Sequence, residues 1–117
     1  MIDLTLQTDK IQKVKEESTR MICNGMKSDI VEVILYGSCA RGDFTEDSDI
    51  DIAILTTCDR QEVKKYNTLL SDIATKLAMK YFVVVNFVCL PYQEFLQKKS
   101  WYPYFKNIDV EGEVLYR

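Results

Sequence analysis

Gly37-Ser38, ten intervening residues and then Asp49-Ile50-Asp51 form the part of this chain whose residue types and spacing could do chemistry. Val33-Ile34-Leu35-Tyr36 reads as a buried strand that stops at Gly37, a residue that lets the backbone turn sharply and approach a ligand closely. Ser38 then falls where a helix is capped, and the free N–H groups and dipole of a helix start attract anions. The chain re-enters a strand as Asp49-Ile50-Asp51-Ile52-Ala53-Ile54-Leu55, whose alternation puts Ile50, Ile52 and Ile54 on one face and both aspartates on the other.

Two carboxylates on one strand face repel unless a cation lies between them. Mg²⁺ (or Mn²⁺) suits the pair, because it takes oxygen ligands and usually binds through one or two carboxylates plus substrate phosphates. Residues i and i+2 of a strand lie ~6.7 Å apart and paired catalytic ions ~3.5–4 Å apart, so Asp49 and Asp51 can share one ion or two. The bland alternatives are a serine-capped turn and a solvated strand face, or an ion pair between an aspartate and Arg41. Turn chemistry alone does not call for carboxylates on the following strand, so a phosphate site beside a metal site is the reading adopted. Arg41 either steadies phosphates or pairs with Asp43, and Asp43, Glu46 and Asp47 read as a solvated acidic loop.

The elements that must position these residues follow from periodicity. Ile11, Val14, Met21 and Ile22 mark an amphipathic helix from about Thr8 to Met26, with an end signalled at Asn24-Gly25. Strands are expected over 30–36 and 49–55, with a short helix after Gly37 and a long one through Val63, Leu70, Ile73 and Leu77 to near Lys80. Thr57 or Asp59 could cap that long helix. The unbroken apolar run from Tyr81 to Leu90 reads as a central strand buried on both faces. A short helix over 93–99, helical or irregular chain over 101–108 and a last strand at Val114-Leu115-Tyr116 complete the pattern. Trp101, Tyr102, Tyr104 and Phe105 can stack a base, but such a cluster more often closes a core or a partner surface.

Composition excludes several classes. The 117 residues make one domain, 1–117, with a real core but no room for a second, substrate-binding domain. Fifteen basic and eighteen acidic residues are intermixed at net charge −3, which is no footprint for direct nucleic-acid binding. Without histidine there is no Ser–His or Cys–His nucleophile pair, and Cys23, Cys39, Cys58 and Cys89 lack zinc spacing. No stretch approaches the ~20 apolar residues that span a membrane. These features point to a reducing cytoplasm, with the cysteines as small hydrophobes.

The string Gly37-Ser38-Cys39-Ala40-Arg41-Gly42-Asp43, followed by Ser48-Asp49-Ile50-Asp51-Ile52-Ala53-Ile54-Leu55, resembles the signature of the DNA polymerase β-type nucleotidyltransferases. Within that superfamily it is similar to the minimal (MNT) domains, which often pair with HEPN-domain proteins as toxin–antitoxin systems. The resemblance implies an α/β (α+β) nucleotidyltransferase fold, here a mixed sheet of about four or five strands with helices on one face and the site on the open face. It implies transfer of a nucleoside monophosphate, AMP from Mg–ATP first among the NTPs, to a hydroxyl acceptor such as a HEPN-type partner. In that scheme Asp49 and Asp51 hold metal, Gly37 and Ser38 hold phosphates, and Arg41 assists. The rival is a weakened binding module that neutralises a partner by masking it. Family members commonly carry a third carboxylate on the strand after the long helix. Here that strand offers only Val84, at the position expected by alignment, and Asn86 two residues on.

Overall fold

The computed structural model describes residues 4–45 and 47–117, with side chains from Thr8 onward; Glu46, of the expected acidic loop, lies outside the described residues. Helix α1 spans Leu4–Met26, ending at the expected Met26 and continuing past the end signal at Asn24-Gly25. Gly25 serves packing there, because a Cβ on it would meet Leu69 Cδ2 at 2.5 Å. Strand β1 (Ile30–Tyr36), helix α2 (Ser38–Arg41) and strand β2 (Ile50–Thr56) follow. Asp59 Oδ1 then accepts the N–H groups of Gln61 and Glu62 at 2.9 and 2.8 Å, starting a 3₁₀ turn that leads into α3 (Asn67–Tyr81). Strand β3 (Val85–Pro91), helices α4 (Tyr92–Lys98) and α5 (Pro103–Glu111) and strand β4 (Glu113–Tyr116) complete the order.

The four strands form one mixed sheet in the order β3-β2-β1-β4, antiparallel except where β2 meets β3. On one face Val33, Leu35, Ile50, Ile52 and Ile54 pack against Val14 and Ile22 of α1 and Ile73 and Leu77 of α3. On the other, Ile34, Ala53 and Leu55 pack against Phe95 of α4 and Phe105 and Ile108 of α5.

Two expectations are corrected. Helices cover both faces, because beyond Asp51 the outward side of β2 is as apolar as its inward side and needs a second layer, which residues 92–111 supply. The run from Tyr81 to Leu90 is not a central strand. Its first residue closes α3, and Phe82 takes a left-handed conformation (φ 57°) that turns the chain. Among the described residues the strand that remains lies at the sheet edge beside β2 alone. An apolar run signals covered faces and says nothing of how many neighbours a strand has. Among the described residues no helix is long and apolar enough to cross a membrane.

Candidate functional site

The end of the sheet where β1 stops and β2 and β3 begin carries the polar residues. Tyr36, Asp51 and Asn86 stand in one row across β1, β2 and β3, with Tyr36 at the margin of the α5 layer. Asp49 lies one residue ahead of β2, and its carboxylate still reaches the row. Asn86 Nδ2 donates to Asp49 Oδ2 at 3.1 Å and to Asp51 Oδ1 at 3.2 Å. The two carboxylates thus aim at one spot, where an amide N–H₂ bridges them.

Gly37 supports this arrangement from below. Its φ of 76° and ψ of −158° are accessible to glycine, and a Cβ there would stand 2.7 Å from Asp51 Oδ2. The turn therefore makes room for the aspartate. Gly37, not Ser38, caps α2: its carbonyl accepts the N–H groups of Ala40 and Arg41, both at 3.1 Å, and Ser38 is the first helical residue. Gly42 closes α2 in the left-handed region, donating to Ser38 O at 3.0 Å. We expect Gly37→Ala to cost about 1–3 kcal/mol through strain alone and to displace Asp51. Gly42→Ala, whose Cβ meets nothing within 4 Å, should pay only a backbone cost. Denaturant unfolding and ATP titration of the two variants check this, and equal retention of ATP binding would refute it.

The charge partners are local. Arg41 pairs with Asp43 (Nε to Oδ2, 3.3 Å) and with Glu111 at the end of α5 (Nη1 to Oε2, 3.2 Å), so of its two sequence readings the ion pair is the one formed. Its guanidinium stays half exposed, free to exchange partners. Burial, then the Asp51 charge, raise the Cys39 thiol above its usual range, and burial pushes Cys89 up to about 11. Neither thiol is activated, in keeping with their reading as small hydrophobes.

Gly37, Ser38, Asp49, Asp51 and Asn86 lie together at this end of the sheet, and Val84, two residues before Asn86, lines the cavity beside Asp49. Val84 precedes β3, is exposed, and contributes its carbonyl to Ile50 N at 2.9 Å. Asn86 is thus the residue facing the carboxylates. Tyr36 and Tyr104 also belong here and were not singled out for the site by sequence. Their hydroxyls are 2.8 Å apart with the rings edge-on, and burial together with Tyr104 raises the Tyr36 pKa. Their sequence signals were the adjacency of Tyr36 to Gly37 and the place of Tyr104 in the aromatic cluster. Of the aromatic cluster Phe105 is buried, whereas Trp101, Tyr102 and Tyr104 are exposed.

A hard divalent cation fits the residues present. Both carboxylate oxygens already converge on a single donor, and Asn86, rotated about its amide, would present a carbonyl oxygen there instead. No cluster of three or more His, Cys, Asp or Glu occurs among the described residues, so any cation would take its remaining ligands from substrate or water. Beside Asp49 a cavity of about 220 Å³ opens, lined by Lys10, Cys39, Thr45 and Ser48 among others. It is smaller than the ~300–1,000 Å³ of sites that enclose a small molecule.

The model of the nucleotidyltransferase domain family matches residues 12–115. A protein of Methanocaldococcus jannaschii provisionally named protein adenylyltransferase is 39% identical over 106 residues, covering 87% of this chain and 98% of that protein. A second protein of the same organism and provisional name is 32% identical over 82 residues, 66% of this chain and 76% of that one. Among solved structures, a toxin–antitoxin crystal structure with AMP-PNP matches at TM-score 0.62 and 20% identity, over 87% of this chain and 72% of its own. A complex of tri-AMPylated Shewanella oneidensis HEPN toxin with MNT antitoxin matches at TM-score 0.56 and 19% identity, over 90% of this chain and 71% of its own. At such identities the structures speak for the fold.

Proposed function

Since this chain belongs to the nucleotidyltransferase domain family, we propose that it transfers AMP from ATP to a hydroxyl of a HEPN-type partner protein and so acts as an antitoxin. The observation that carries this is the convergence of Asp49 and Asp51 on one spot beside the Gly37 turn. The names of the methanogen relatives, and the AMPylated toxin in one structural neighbour, support AMP and a protein acceptor.

In the reaction the acceptor oxygen bonds to the α-phosphorus, the bond from that phosphorus to the α–β bridging oxygen breaks, and pyrophosphate leaves. The hydroxyl proton passes to water. A bound Mg²⁺ (or Mn²⁺) would neutralise charge on the phosphates and polarise the α-phosphorus. Asp49 and Asp51 are the residues that would hold it. Gly37 and Ser38 hold the distal phosphates at the start of α2, and Arg41, released from Glu111, adds a donor fork. We place the reaction in the cytoplasm, where the four free thiols are at home.

One observation favours a second reading. Asn86 accepts no proton at neutral pH and stands where an acid would help, so the chain could instead neutralise its partner by masking it. Incubating the co-purified complex with α-labelled ATP and Mg²⁺ should label the partner. Neutralisation that persists unchanged in the Asp49→Ala/Asp51→Ala double variant, with no label on the partner, would select masking.

A further inference from the structure

We propose that the open edge of β3 receives an extended, hydroxyl-bearing segment of the acceptor protein as an added strand. This rests on the transfer reading above for its acceptor, and on the sheet for its geometry. Within the described residues β3 pairs with β2 alone. The N–H of Ile50 bonds the carbonyl of Val84 at 2.9 Å, and in a parallel ladder alternate residues turn both backbone groups to the same neighbour. Asn86 and Val88 therefore face β2, and the backbone N–H and C=O groups of Phe87 and Cys89 point outward.

Exposed edges are normally blunted by charge, shortness or cover, because an unpaired row of N–H and C=O groups templates further pairing. The opposite edge obeys this. Strand β4 has four residues, with Glu113 tied to Lys15 at 3.0 Å and Arg117 beyond it tied to Glu32 at 3.3 Å. Strand β3 has seven residues, Val-Asn-Phe-Val-Cys-Leu-Pro, with no charge among them and a single proline at its far end. Such an edge is built to be paired.

What it pairs with follows from where it leads. An open groove of about 330 Å³ runs along the edge between α3 and β3, lined by Asn67, Leu70, Ser71, Ala74, Asn86 and Phe87. Asn86 lines this groove and also bonds both carboxylates. Alternate side chains of an added strand would share the face of Asn86 and Asp51, which brings a hydroxyl toward the carboxylates. Recognition through the backbone tolerates varied side chains, as the uncharged groove requires.

The test measures hydrogen exchange of the intact chain by NMR with millimolar Lys-flanked peptides, in which a central Ser, Thr or Tyr sits among alternating Val and Thr. The Phe87 and Cys89 amides should exchange at least tenfold more slowly with these peptides, and N-methylation of alternate peptide residues should abolish that protection. Unchanged exchange at both amides, or equal protection by the methylated peptides, overturns the proposal. Protection that grows with protein concentration in the absence of peptide overturns it in favour of a second copy of this chain. The readout needs no transfer: protection without labelling from α-labelled ATP would uphold the docking edge while refuting the transferase reading.

Discussion

Replacing Asn86 by Asp is expected to raise the rate of adenylyl transfer by about 10²–10⁴, the usual worth of a positioned general base. Asn86 is the residue whose side chain touches both Asp49 and Asp51, so an acid there gains both a proton acceptor and a further oxygen for a cation. The KM for ATP should change little, since the turn at Gly37 and Ser38 is untouched. The variant carries a cost. Three carboxylates at one spot repel, so N86D should melt below the parent in EDTA and recover when Mg²⁺ is added. Single-turnover transfer from α-labelled ATP and paired melting curves report both effects. A fast parent enzyme, indifferent to N86D and silenced by changing Asp43 or Glu46, would show that a loop acid already serves as base. Val84→Asp, at the cavity beside Asp49, should also raise transfer, by less than N86D because the Val84 side chain touches neither carboxylate.

Asp51→Asn should act in the opposite direction. The amide is isosteric, so it still occupies the space that Gly37 leaves open, and it relieves the like charge of Asp49. Stability should therefore hold or rise slightly. A neutral amide is a poorer ligand for a hard cation, and losing several kcal/mol of charge neutralisation corresponds to a rate loss of roughly 10³ or more. Calorimetric titration of ATP with and without Mg²⁺ should show a metal-dependent gain in the parent and none in D51N. An equal gain in both proteins would remove Asp51 from any metal site.

Much of this was legible in the sequence because each signal was local. The strand over Ile30–Tyr36 has the expected ends, the turn and short helix follow at Gly37, and Asp59 caps the turn before α3. The carboxylate pair was legible from period-two alternation. What could not be read is non-local. Whether Tyr81–Leu90 has one neighbour or two depends on strand order, and strand order leaves no trace in an apolar run. The place of Asn86 opposite Asp51 depends on the parallel register between β2 and β3, which shifts by two residues if α3 ends one half-turn later. Phe82 fixes that end, and a phenylalanine in the left-handed region carries no sequence signature. Tyr104 reaches Tyr36 only because α5 crosses the second face of the sheet.

That second face has a consequence in the order of synthesis. The hairpin of β1 and β2 is complete by Thr56, and α3 can close its first face soon after. Among the described residues the helical cover of Ile34, Ala53 and Leu55 comes from α4 and α5. At ~5–20 residues per second, the stretch from Tyr92 to Glu111 takes roughly one to four seconds to synthesise. Until that stretch docks, the chain carries an apolar strip on an otherwise folded sheet, open to a chaperone or a partner already present.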